Sequence, residues 1–172
     1  MYVLGIVLMF GGCGASCGMT LWQTSNKVDG MQRLVMPGEH EVELAAGSHV
    51  LYAEARSAMG GTSYVWHGGA LQCTVVESAS SRPVPLNAAT MSESYSFGGF
   101  EGQSMFELDV VTPGRHRVAC EVASGGPMTV ALSQGGVLGG MLYGMLGGFV
   151  IAAAGLTTIL LTWDKRRKHR VV

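Results

Sequence analysis

A chain of 172 residues has room for one domain and its membrane segments, but not for two sizeable domains. Only 13% of its residues are charged, against about 25% in soluble domains, and the mean hydropathy is +0.30, which argues against a wholly soluble protein. The net charge of −1 conceals a basic tail and an acidic middle: Thr24 to Gln134 holds six Lys and Arg against eleven acids, which is poor material for a nucleic-acid-binding face.

The first element, Tyr2 to Trp22, is uncharged and ends on an aromatic residue, and about 20 residues suffice to span a bilayer. Gly11, Gly12, Gly14, Ser16 and Gly18 dilute its hydrophobicity. Three readings stand: an uncleaved membrane helix, a cleaved secretory signal, or a lipoprotein signal ending at Cys13. The absence of a basic leading region favours the uncleaved helix. Cys13 and Cys17 lie four apart, on one face of a helix. Small residues at a helix contact account for that spacing better than a ligand pair or a crosslink between subunits.

From Gln32 onward the pattern turns to short alternating runs punctuated by turn residues, the period of β-strands. His40, Val42 and Leu44 alternate with three glutamates after Pro37-Gly38. His49 to Ala55 follows, with Leu51, Ala53 and Ala55 expected on one face. Leu71, Cys73 and Val75 form another run, then Phe106, Leu108 and Val110. After Pro113-Gly114 come Val118, Cys120 and Val122, and finally Met128, Val130 and Leu132. About seven or eight strands in residues 24–134 predict an all-β domain, an antiparallel sandwich, with a small barrel as the competing architecture. Cys73 and Cys120 both fall on inward positions. A disulfide joining the two sheets is expected outside the cytoplasm, with two buried thiols as the alternative.

Residues 137–163 carry no charge and amount to about 40 Å of helix, ample for a second crossing. The basic tail, 164–172, places Lys165, Arg166, Arg167, Lys168 and Arg170 against anionic headgroups and puts the C-terminus in the cytoplasm. The middle domain is then extracytoplasmic, on the periplasmic side of an inner membrane. Gly136, Gly140, Gly144, Gly148 and Ala152 recur every fourth residue, a ridge of missing side chains of the kind that lets helices approach closely in lipid. The chain's own first helix, a second copy or another protein would each fit it.

Chemistry is sparse. One G-x-S-x-G occurs, Gly14 to Gly18, but it lies inside the uncharged first segment rather than at a strand-to-helix turn, and no H-x-x-x-H, C-x-x-C or acidic metal loop occurs. No catalytic, cofactor or metal site is therefore expected. Tyr64, Trp66 and His67, bracketed by glycine pairs, form a candidate partner loop, the alternative being that the aromatics belong to the core. The expected function is a non-catalytic accessory subunit of a larger membrane complex, its partners being other membrane subunits or itself. A membrane-anchored binding module and a self-associating two-pass protein are the alternatives.

Overall fold

The computed structural model describes residues 2–66, 68–123 and 126–168. It comprises a helical unit and a compact unit spanning Lys27–Val137.

The helical unit is built from α1 (Tyr2–Asp29) and α2 (Val137–Lys168), apart from the last turn of the first and the first residue of the second. Within α2, Leu146–Trp163 is long and apolar enough to cross a membrane, the one such stretch among the described residues. It leaves Phe149, Val150 and Leu161 largely exposed. α1 covers the whole of the expected first segment and continues through polar residues to Asp29.

The second unit is made of antiparallel sheets. Its strands are β1 (Gln32–Met36), β2 (Gly38–Leu44), β3 (Gly47–Met59), β4 (Thr62–Val65), β5 (Leu71–Glu77), β6 (Pro83–Val84), β7 (Asn87–Ala88), β8 (Ser94–Phe97), β9 (Phe100–Val110), β10 (Gly114–Val122) and β11 (Met128–Gln134). Seven form one sheet in the order β1-β11-β3-β9-β7, with β4 added to β3 and β8 to β9. Four form the other, in the order β2-β10-β5-β6. The Pro37-Gly38 turn carries the chain from the edge of one sheet to the edge of the other. Gly60-Gly61 and Gly98-Gly99 close the two tight hairpins, and all four have positive φ, the geometry that two-residue hairpin turns require.

The alternating runs put their apolar faces together. Met36 and Leu34, Leu51 and Ala53, Leu108 and Val110, and Met128, Val130 and Leu132 from the larger sheet meet Val42, Leu44, Leu71, Val75 and Val118 from the smaller one in a single core. Two expectations need correcting. Ala55 is exposed, because a bulge between Glu54 and Arg56 re-phases β3 after Ala53. The disulfide Cys73–Cys120 exists, but it does not join the sheets. Cys120 pairs directly with Cys73 in the β10–β5 ladder, so the bond crosslinks neighbouring strands of the four-stranded sheet. Alternation fixes the face a cysteine occupies, not the strand beside it.

Candidate functional site

Within the helical unit the two helices touch through small residues. A Cβ built on Gly148 would collide with the Ser16 side chain, and one on Gly12 would lie 2.5 Å from Ile151 Cγ2. Both glycines are buried, as is Gly155. Of the five residues expected to form a ridge on α2, Gly148 lies against Ser16 of the first helix and Ala152, one turn on, is half-buried. Gly136 lies just before α2 rather than in it, against the Glu93 carboxylate. The surroundings of Gly140 and Gly144 fall outside the described residues. Lys165, Arg166, Arg167 and Lys168 continue α2, and Arg170 falls outside the described residues.

α1 has a second small-residue face. At 100° per residue, Gly11, Gly14 and Gly18 cluster on the side opposite Gly12 and Ser16. A Cβ on any of these three would meet nothing within 4 Å.

Of the candidate partner loop, Tyr64 is half-buried on β4 and Trp66 packs against the main core, with its indole nitrogen buried and unbonded. His67 falls outside the described residues. The aromatic pair thus belongs largely to the fold.

The polar cluster that organises the middle unit was not foreseen. It lies on the outer face of the seven-stranded sheet, above a second apolar group formed by Val28, Met31, Val50, Tyr52, Tyr95, Ala131 and Val137. Glu54 is fully buried on β3. Its Oε1 accepts from Arg33 Nε at 2.9 Å and from the Tyr95 hydroxyl at 2.7 Å, while Oε2 has no hydrogen-bond partner. Arg33 also donates to the carbonyl of Val28, capping the end of α1, and stacks 3.6 Å from the centroid of Phe100. Tyr95 lies over Gly102, where a Cβ would come within 2.5 Å of its ring.

The other half of the cluster caps the start of α2. The Val137 amide, which has no intrahelical partner, donates to Glu93 Oε2 at 2.8 Å and to the Tyr52 hydroxyl at 3.2 Å. Tyr52 in turn donates to the same carboxylate oxygen at 2.7 Å. A carboxylate is the favoured group at a helix N-terminus. Lys27 donates to the Gly136 carbonyl at 2.6 Å; burial lowers its pKa, and the Glu93 charge partly opposes that. The arrangement satisfies helix ends. Among the described residues no three His, Cys, Asp or Glu side chains converge to hold a metal ion.

Burial, reinforced by hydrogen bonds to Glu93 and Glu54, raises the pKa of Tyr52 and Tyr95 well above the ordinary phenol value. In the unfolded chain these phenols ionise near pH 10. The folded chain keeps both protons, so their contribution is full below pH 10 and is lost as pH rises above it. The full chain in detergent should lose stability progressively from about pH 10 upward. The loss approaches about 1.4 kcal/mol per pH unit for each tyrosine. Tyr52→Phe should reduce that slope by one proton. A melting temperature unchanged between pH 9 and 11 would contradict the cluster as described.

Comparison with family models, curated proteins and solved structures finds no match to this chain.

Proposed function

We propose that the chain is a non-catalytic accessory subunit of a larger membrane complex. In this reading α1 and α2 both cross an inner membrane, the β domain stands on the periplasmic side, and the basic tail is cytoplasmic. The observation that carries the reading is the open glycine face of α1. Gly12 and Ser16 are taken up by α2, yet Gly11, Gly14 and Gly18 on the opposite side remain uncovered. Glycine in a helix costs up to about 1 kcal/mol relative to alanine, so three on one uncovered face favour a role in close packing against another helix. The capped helix ends and the disulfide-braced domain suit a rigid element better than a mobile one.

The test is leucine substitution of that face. Gly14→Leu with Gly18→Leu should release the chain from its partner on extraction from native membranes while leaving its own melting temperature within a few degrees. Unchanged co-purification would refute docking through α1. The competing reading is self-association through the same face; crosslinking through the exposed Cys17 would then give a dimer of this chain alone.

A further inference from the structure

A cavity of about 350 Å³ opens where the end of β9 meets β5, β6 and β10, within the range of small-molecule sites. Its walls include Pro83, Val84 and Val111, and Val111 is 79% exposed, the most exposed large apolar residue described. Neither the helix contacts nor the polar cluster involves this place.

The polar side chains lining the cavity are Glu77, Arg82, Asp109, Thr112 and His116. His116 lines it and is 2% exposed. Its Nδ1 lies 2.9 Å from the Gly114 carbonyl, and a carbonyl only accepts, so Nδ1 carries the proton. With that proton on Nδ1, Nε2 of a neutral ring can accept, and among the described residues no other hydrogen bond engages it. Glu77 stands directly opposite His116 in the β10–β5 ladder, and its side chain is only 15% exposed. Asp109 adds a second carboxylate. Against these three acceptors the lining offers one cation, Arg82, which is largely exposed and sits 4.0 Å from Glu77. Acceptors and a net negative charge beside an apolar wall call for a donor-rich, positively charged head with an apolar body.

We propose that this cavity binds a small organic cation, an alkylammonium or alkylguanidinium, its charged head between Glu77, Asp109 and His116 and its apolar part on Val84 and Val111. The head takes the place of Arg82 beside Glu77, whose Oε2 also accepts from the Ser80 hydroxyl at 2.5 Å, and no covalent step is involved.

The experiment titrates the full chain in detergent with n-butylammonium and n-butylguanidinium, with butyrate and n-butanol as shape-matched controls. Methyl resonances of Val84 and Val111 and the melting temperature are followed. The cations should shift those methyls saturably and raise the melting temperature, and the controls should do neither. Glu77→Gln and Asp109→Asn should each weaken the apparent affinity by about tenfold or more, because a charged hydrogen-bond partner is lost. Asp109 is exposed, so its variant reports on binding even if the Glu77 variant folds poorly. The proposal is overturned by any of three results: no saturable shift up to roughly 10 mM cation, affinities that scarcely reach the weakest useful range; equal shifts with n-butanol; or unaltered binding in Asp109→Asn.

Discussion

Replacing Arg33 by methionine should destabilise the β domain by about 3–5 kcal/mol, because it strands the Glu54 carboxylate as an unpaired buried charge. The side chains of the pair are 7% and 0% exposed, so water cannot take over the role of the guanidinium. Glu54 Oε2 already lacks a partner, and after the substitution Tyr95 would be the sole donor left to the carboxylate. The same change removes the cap on the Val28 carbonyl and the stacking on Phe100. A loss of that size is a large share of the 5–15 kcal/mol that holds a typical domain folded. The partner substitution decides between causes. Arg33→Met with Glu54→Met removes both charges and should recover most of the loss, since a buried ion pair often does no better than well-packed apolar residues. Denaturant unfolding followed by tryptophan fluorescence measures both variants. A loss below about 1 kcal/mol in Arg33→Met would mean that the pair is solvated and the cluster is not a buried one.

Removing the disulfide has an effect of similar size through the unfolded state. The bond closes a loop across a sequence separation of 47, for which the chain-entropy estimate is about 4 kcal/mol. Cys73→Ala with Cys120→Ala should therefore lower the melting temperature by roughly 15–25 °C. The fold itself should survive, because β5 and β10 are also joined by their own ladder and β10 is held by β2 on its other side. Melting with and without reductant is the simplest check, and a shift below about 3 °C would contradict it.

The contrast between these two features says what the amino-acid pattern made legible. The cysteines sit in runs with one apolar face, so β5 and β10, like β2 and β11, could be read directly and their inward residues named. Which strands pair depends on topology, which alternation does not encode, and the disulfide was accordingly expected between sheets. The Arg33–Glu54 cluster was hidden for a different reason. Tyr52 and Glu54 alternate with Leu51 and Ala53 and so look solvent-facing, yet both are fully buried. β11 is buried along both faces for the same reason, with Thr129 and Ala131 under the cluster and Val130 in the main core. Glu54 offered the one available signal, a lone acid in the apolar run His49 to Ala55. The strands β4, β6, β7 and β8, of two to four residues, are too short to show any period. On the helices, the four-residue step of small residues was visible, but not the division of labour between faces. Gly12, outside that series, is buried beside Ile151, and Gly11, Gly14 and Gly18 form the open side.

The most direct test of the proposed role is the mass of the native particle: extraction of the unmodified chain from its own membranes in mild detergent, then native mass spectrometry. A stoichiometric assembly with at least one other membrane protein is the predicted result, and it would identify that partner. A lone monomer, or a particle containing only this chain, would contradict the subunit reading.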